Sequence, residues 1–184
     1  MIGVLVSGSG TNLQALLDAG LPVIAVASNR SDAGALRRAE DADISTATFE
    51  LADYASRMER DAAMADWLAD AGVELVVCAG YMHLLTRGFL ERFRCVNVHP
   101  SLLPDFPGAH AVEDALAAGV AETGVTVHFV DEGVDTGPVI AQEAVEVEPG
   151  DTPETLHRRI QAVEHRVLPE VVRSYLAGAL RSTS

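Results

Sequence analysis

Short apolar runs that alternate with helical stretches constrain the fold of this chain more than any other feature. The runs are rich in Val and Ile and are IGVLVS (2–7), LPVIAVAS (21–28), ELVVCAG (74–80) and CVNVH (95–99). Helical patterns separate them, at about 12–19, 53–71 and 86–93. Strands that alternate with helices form a parallel sheet covered by helices, and strands buried on both faces are apolar throughout. The sequence therefore predicts an α/β fold with an open, mostly parallel twisted sheet and helices on both faces.

The last third of the chain has a different pattern. GVTVHFV (124–130) and GPVIAQEAVEV (137–147) alternate apolar and polar residues, as partly exposed antiparallel strands do. Thr152 as N-cap, Pro153 at the first helical position and Thr155 near N3 then predict the start of a C-terminal helix. Pro169 is expected to kink that helix near its middle. No linker or repeat divides the chain, so residues 1–184 are predicted to form one domain.

Composition limits the partners and the compartment. The formal net charge is −14, and all 13 basic residues are arginines, which argues against nucleic-acid binding. No apolar stretch reaches the roughly 18 residues of a membrane span. MIGVLVSGSG has no basic region typical of a signal peptide, so a cytoplasmic location is expected. Cys78 and Cys95 lie in apolar strands and are predicted to be buried, inert thiols, and no Cys/His spacing indicates a metal site.

The first candidate site is the glycine-rich loop SGSGTN. It follows a strand and precedes a helix, where free backbone N–H groups and the helix dipole can hold an anion. Leu13 stands where a dinucleotide fingerprint needs its third glycine, and no lysine is available for a phosphate-binding loop of the Walker type. Two alternatives remain: a small phosphate or carboxylate site using Thr11 and Asn12, or a plain tight turn with Thr11 as N-cap.

The second candidate site is the strand end VNVHPSLLP. Asn97 and His99 occupy alternate positions, so they share one face of the strand, and Pro100 ends it. An amide donor beside an imidazole suits an oxyanion that forms when a carbonyl is attacked. The alternative is a core histidine satisfied by a backbone carbonyl.

The third candidate site is the acidic loop of HFVDEGVDTGPVI, with Asp131, Glu132 and Asp135. Such a run is usually a solvated turn. One of its carboxylates can instead face His99 and orient its ring, and sequence spacing does not decide between the two.

Five segments together carry a resemblance to a known family. They are SGSGTNLQALL, AGYMHLL, NVHPSLLPDFPGAH, GVTVHFVDEGVDTGPVI and QAVEHRVLPEV. In this order and spacing they resemble the phosphoribosylglycinamide formyltransferases over essentially the whole chain. HPSLLP is shared by enzymes that use 10-formyltetrahydrofolate in general, whereas SGSGTN is similar to the glycinamide ribonucleotide enzymes.

The resemblance implies a Rossmann-like formyltransferase fold and a reaction. The family transfers a formyl group from 10-formyltetrahydrofolate, as co-substrate, to the amine of glycinamide ribonucleotide in purine biosynthesis. No metal is implied, and the expected partners are these two small molecules, with the protein a monomer or homodimer. The implied halves are a phosphate-binding part at about 1–94 and a folate-binding and catalytic part at about 95–184.

The resemblance also assigns roles to residues. Asn97, His99 and Asp135 are the implied catalytic residues. The ribonucleotide is implied to contact Gly10, Thr11, Asn12 and Glu164. The folate is implied to contact Arg57, Met82, His83, Leu84, Leu85, Asn97, Asp131, Glu132, Gly133 and Val134. The family commonly has an arginine where this chain has His83, which bears on folate affinity and not on the reaction class.

Three other functions remain as alternatives. A formyltetrahydrofolate hydrolase would share the catalytic residues, but that family usually has a further N-terminal domain. A methionyl-tRNA formyltransferase would need a basic C-terminal domain. A non-enzymatic small-anion binding domain would use the glycine loop alone and would have no reason to bring Asn97, His99 and an acidic loop together.

Overall fold

The computed structural model describes residues 1–180, so the last four residues of the predicted domain, 181–184, lie outside it. Within that range the strands are β1 (Ile2–Val6), β2 (Val23–Ser28), β3 (Ser45–Thr48), β4 (Leu75–Cys78), β5 (Arg94–His99), β6 (Glu122–Phe129) and β7 (Val139–Glu146). The helices are α1 (Thr11–Asp18), α2 (Gly34–Glu40), α3 (Arg57–Asp70), α4 (Arg87–Leu90), α5 (Ala111–Ala118) and α6 (Pro153–Leu176), with a 3₁₀ turn at Leu51–Asp53.

The seven strands described form one sheet in the order β3-β2-β1-β4-β5-β6-β7. The first five run parallel, β6 pairs antiparallel with β5, and β7 pairs antiparallel with β6. The predicted fold class, a mostly parallel sheet that ends in antiparallel strands and a C-terminal helix, is confirmed. Loops that follow the parallel strands therefore meet at one edge of the sheet, where ligands bind in open α/β folds.

Each face of the sheet has its own hydrophobic core. Alternate residues of β1 belong to different cores: Val4 packs beneath α1 and α6, and Leu5 packs beneath α3 and α4. Both side chains are fully buried, which explains why the parallel strands are apolar at consecutive positions. Cys78 and Cys95 are buried free thiols, as predicted, and burial raises the pKa of Cys78 to about 12.

The C-terminal helix begins where the sequence indicates. Thr152 and Thr155 form a reciprocal capping box, and Pro153 occupies the first turn. Pro169 does not interrupt the helix, which runs from Pro153 to Leu176 with Pro169 buried inside it. The helix is therefore continuous across the position where the kink is expected, because the packed face of α6 holds the segment together despite one lost backbone hydrogen bond.

Three elements were not predicted: α2, β3 and α5. The helices have seven and eight residues, too few to show a clear helical period, and β3 is the polar edge strand STAT. Among residues 1–180, no helix has both the length and the hydropathy of a membrane span.

Candidate active site

A cavity of about 500 Å³ lies at the carboxyl edge of the sheet. Its walls come from the β1–α1 loop, the ends of β4 and β5, the β6–β7 loop and α6. The residues predicted from sequence that line it are Gly10, Thr11, Asn12, Met82, His83, Leu84, Leu85, Asn97, His99, Asp131, Gly133, Val134, Asp135 and Glu164. His128, His157 and Gln161 line it as well. Residues distant in sequence thus surround one space whose volume is in the range typical of small-molecule sites.

The glycine loop forms one end of this cavity. Gly10 is the N-cap of α1 with φ 78°, a left-handed conformation that favours glycine. A side chain there would also collide with α2, because its Cβ would lie 2.5 Å from the Cβ of Ala35. Arg38 of α2 donates from Nε to the carbonyl of Ser9 at 2.7 Å. The first N–H groups of α1 have no partner within the helix, so this rigid loop is suited to an anion.

Glu164 of α6 stands opposite the first turn of α1. The Nδ2 atom of Asn12 donates to Oε2 of Glu164 at 2.9 Å, although the two residues are 152 positions apart. Burial raises the pKa of Glu164, and the hydrogen bond from Asn12 opposes that rise. A buried carboxyl beside an anion site gives an amine-bearing ligand a partner at a fixed distance from its anionic end.

His99 is held at both ring nitrogens. Its Nδ1 lies 3.3 Å from Oδ2 of Asp135, and its Nε2 lies 2.8 Å from the carbonyl oxygen of Phe106. Both neighbours are acceptors, and an imidazole offers two N–H donors only when it is protonated. The surroundings of this buried ring therefore offer an acceptor to each of its two nitrogens.

Asp135 connects the acidic loop to the strand. Its backbone has φ 53°, and Oδ2 accepts from the N–H of Gly108 at 2.8 Å. Burial acts to raise the pKa of Asp135. The hydrogen bond from His128, the N–H of Gly108 and the nearby imidazoles outweigh burial, so the pKa lies below its usual value. Asp135 is thus a carboxylate at neutral pH and faces His99. Of the two alternatives for the acidic loop, this geometry favours a carboxylate that orients His99 over a solvated turn.

His128 of β6 belongs to the same cluster and was not predicted. It lies directly opposite Asn97 in the antiparallel pair β5–β6. Its Nε2 is 3.1 Å from Nδ2 of Asn97 and 3.5 Å from Oδ1 of Asp135, while its Nδ1 is 2.7 Å from the carbonyl of Phe129. In the sequence it is one polar residue among alternating valines, a pattern that indicates a strand. Only the register against Asn97 reveals its place.

The proline-rich loop after β5 is held by hydrogen bonds with a buried threonine of β6. Thr126, fully buried on β6, donates to the carbonyl of Ser101 at 2.7 Å and accepts from the N–H of Leu103 at 3.0 Å. The hydroxyl of Ser101 donates in turn to the carbonyls of Asp105 and Phe106. The carbonyl of Phe106, which faces His99, is therefore held by the hydroxyl of Ser101, while Thr126 fixes the backbone at Ser101 and Leu103.

Two predicted residues lie in a neighbouring cavity. Arg57 and Glu132 line a second space of about 490 Å³, which shares Leu84 and Leu85 with the first. Within residues 1–180, no group of three or more His, Cys, Asp or Glu side chains is placed to hold a metal ion.

The sheet order and the polar cluster beyond it are those of Rossmann-like α/β proteins, which bind small polar ligands at the carboxyl edge. Within this class, a family model described as "Formyl transferase" matches residues 1–172. The phosphoribosylglycinamide formyltransferase of Haemophilus influenzae is 40% identical over 188 aligned positions, covering 98% of this chain and 89% of that protein. The chain therefore belongs to the formyl transferase family, and the resemblance seen in the motifs is confirmed.

Two further comparisons extend this result. The structure of glycinamide ribonucleotide transformylase 1 from Symbiobacterium toebii matches with a TM-score of 0.94 and 50% identity, covering 96% of this chain and 87% of that chain. The trifunctional purine biosynthetic protein adenosine-3 of Drosophila pseudoobscura pseudoobscura is 44% identical over 193 aligned positions. Those positions cover 100% of this chain but 14% of that protein, so this chain spans a small part of its length.

Proposed function

We propose that this chain transfers the formyl group of 10-formyltetrahydrofolate to the amine of N1-(5-phosphoribosyl)glycinamide, a step of purine biosynthesis. One observation carries the proposal. The Asn97, His99 and Asp135 cluster, the Gly10 loop and Glu164 line the same cavity. An anion site, a carboxyl for an amine and an oxyanion-stabilising cluster are the three parts that this reaction needs.

The ribonucleotide is assigned to the α1 side of the cavity. Its phosphate binds at Gly10, Thr11 and Asn12, where the N-terminal N–H groups of α1 and the side-chain donors supply charge-assisted hydrogen bonds. Its amine-bearing end lies along Glu164. The protein has a formal net charge of −14 and both substrates are anionic, so binding depends on these local donors and not on the overall field.

The formyl donor is assigned to the other side. Met82 to Leu85 and the loop residues Asp131, Gly133 and Val134 line that part of the cavity. Met82 is 66% exposed and Leu84 is 40% exposed, so both offer apolar surface that a bound ligand can cover. Arg57 and Glu132 lie beyond Leu84 and Leu85 and are assigned to the outer end of the folate.

The chemistry follows from the positions of three side chains. The neutral amine attacks the formyl carbon, so a new C–N bond forms and the carbonyl oxygen becomes an oxyanion. Asn97 donates to that oxygen, and the imidazolium of His99 stabilises its charge. The amine loses one proton, and the leaving folate nitrogen gains one as its C–N bond breaks. Asp135, ionised and next to His99, supports the imidazolium and orders the water that relays this proton.

An assay with three acceptors tests the proposal. Purified protein is supplied with 10-formyltetrahydrofolate and either glycinamide ribonucleotide, water alone or charged initiator tRNA. We expect folate release that depends on the ribonucleotide. Equal release without it would establish a hydrolase instead, and ribonucleotide binding with no folate release would leave an anion-binding domain. We expect the enzyme to act in the cytoplasm as a monomer or homodimer, and sedimentation would measure its mass.

A further inference from the structure

The segment Met82–Leu85 is fastened at both ends by side chains from other elements. The N–H of Met82 donates to Oγ of Ser7, at the end of β1, at 2.9 Å. The N–H of Thr86 donates to Oδ2 of Asp61, in α3, at 2.7 Å. The segment has no helix or strand of its own to fix its backbone. These two bonds therefore set where its residues enter the cavity.

A continuous chain of side chains joins the two fastening points. Ser7 donates to the amide of Asn29 at 2.6 Å, and that amide lies 3.2 Å from Nε2 of His83. The other ring nitrogen of His83 contacts Arg60, whose Nε donates to Oδ1 of Asp61 at 2.9 Å. We call Ser7, Asn29, His83, Arg60 and Asp61 the clamp. It passes through the segment at His83, so the segment is held at its middle as well as at its ends.

The Arg60–Asp61 pair inside the clamp is fully buried. Burying two charges costs several kcal/mol per ion before their attraction repays it, and apolar replacements of such pairs are often neutral or stabilising. Stability alone thus does not explain why this ion pair is buried. Its geometry indicates a positioning role, because Asp61 accepts from Arg60 with one oxygen and from the N–H of Thr86 with the other.

The clamp requires a neutral His83. A guanidinium only donates, so Nδ1 of His83 accepts from Arg60 and the ring proton sits on Nε2. The amide oxygen of Asn29 accepts that proton when the amide is turned over, since its two ends have the same shape, and Oγ of Ser7 then accepts from the amide nitrogen instead of donating to the oxygen. Burial lowers the pKa of His83, and the charges of Arg60 and Arg57 lower it further against the opposing effect of Asp61.

We propose that the five clamp residues are positioning residues that hold Met82–Leu85 in the geometry that binds the formyl donor. This inference rests on the proposed function. The clamp residues act through the backbone of the segment, and a protonated His83 cannot accept from Arg60. The donor site is therefore built only when His83 is neutral, whereas the ribonucleotide loop at Gly10–Asn12 is independent of it.

The test compares the same substitution at two positions of α3. Asp61→Asn weakens the clamp, and Asp66→Asn is its control, because Asp66 pairs with Arg92 at 2.6 Å on the surface with 70% of its side chain exposed. Ser7→Ala is the milder clamp variant and keeps the buried ion pair intact. We expect KM for the formyl donor to rise about tenfold in both clamp variants, the equivalent of about 1.4 kcal/mol for one buried hydrogen bond. KM for the ribonucleotide and kcat stay within about twofold, and Asp66→Asn matches the wild type.

Two further readouts separate positioning from mere stability. Amide hydrogen exchange at Met82 and Thr86 should quicken in the clamp variants and not in Asp66→Asn. KM for the donor should rise in the wild type as the pH falls through the lowered pKa of His83, and this rise should be absent in His83→Gln. A lower melting temperature with both KM values unchanged would overturn the proposal. If Asp61→Asn does not fold, Ser7→Ala decides. If the wild type transfers no formyl group, the proposed function fails, and the exchange measurement still tests the clamp.

Discussion

The carboxylate of Asp135 offers the sharpest test of the proposed chemistry. Asp135→Asn keeps the shape of the side chain and an oxygen that can accept from Gly108, but it removes the charge 3.3 Å from His99. Unit charges at this separation attract by about 5 kcal/mol at an effective dielectric constant of about 20. Desolvation of the pair offsets part of this attraction, so we expect a loss of about 3–4 kcal/mol of transition-state stabilisation.

A loss of this size corresponds to about 10²–10³ in rate. Single-turnover formyl transfer measures it without interference from product release, and calorimetry measures ribonucleotide affinity in parallel. The affinity should be unchanged, because Asp135 contacts His99, His128, Asn97 and Gly108 and not the glycine loop at Gly10–Asn12. Asp105→Asn is the matched control, since Asp105 is an exposed acid in the loop that follows His99. A rate within about tenfold of the wild type would refute the reasoning and make Asp135 a turn residue.

The same substitution has a predictable effect on stability. Because the pKa of Asp135 is lowered in the fold, its contribution to stability is present above the unfolded pKa of about 3.9. That contribution is lost as the pH falls through the lower pKa of the folded state. Asp135→Asn should therefore flatten this part of the stability–pH curve in urea titrations.

Three other predictions concern the phosphate loop and the clamp. Asn12→Ala should weaken ribonucleotide binding by about 1–3 kcal/mol in calorimetry and leave donor binding unchanged, and equal losses for both ligands would contradict the assignment. Gly10→Ala should destabilise the fold more than Gly20→Ala in thermal unfolding. Both positions have a left-handed backbone, but only Gly10 lacks room for a Cβ. Because the fold lowers the pKa of His83, the unfolded chain binds more protons than the folded chain once the pH drops below the unfolded pKa of about 6.5. The free energy of unfolding should therefore decrease as the pH is lowered from that value. His83→Gln should show a shallower fall, and parallel curves would contradict this role.

The parallel strands and the residues proposed as catalytic were predictable for one shared reason. A strand buried on both faces must be apolar along its length, so polar residues within or just after it stand out. Asn97, His99 and the glycines before α1 are such residues, and the structure brings them to one cavity. The motifs also predicted Asp135 through the resemblance, although spacing alone left its partner open.

Other parts of the site were not predictable because they depend on pairing between distant elements. His128 alternates with valines as an ordinary strand residue does, and its role comes from the β5–β6 register. Arg60 and Asp61 are consecutive charges in a helix, a pattern that usually indicates a solvated face. Here both are fully buried, because the segment Met82–Leu85 and α4 cover that part of α3.

The hydrogen bond between Asn12 and Glu164 has a consequence for synthesis on the ribosome. The first turn of α1 emerges early, but its partner on α6 is made 152 residues later. Domains can begin to fold during translation, yet a contact of this range has to wait for the distant element. The nascent chain therefore brings Asn12 and Glu164 together only after α6 has left the exit tunnel. In a refolding chain, recovery of ribonucleotide binding would then report that α1 and α6 have docked.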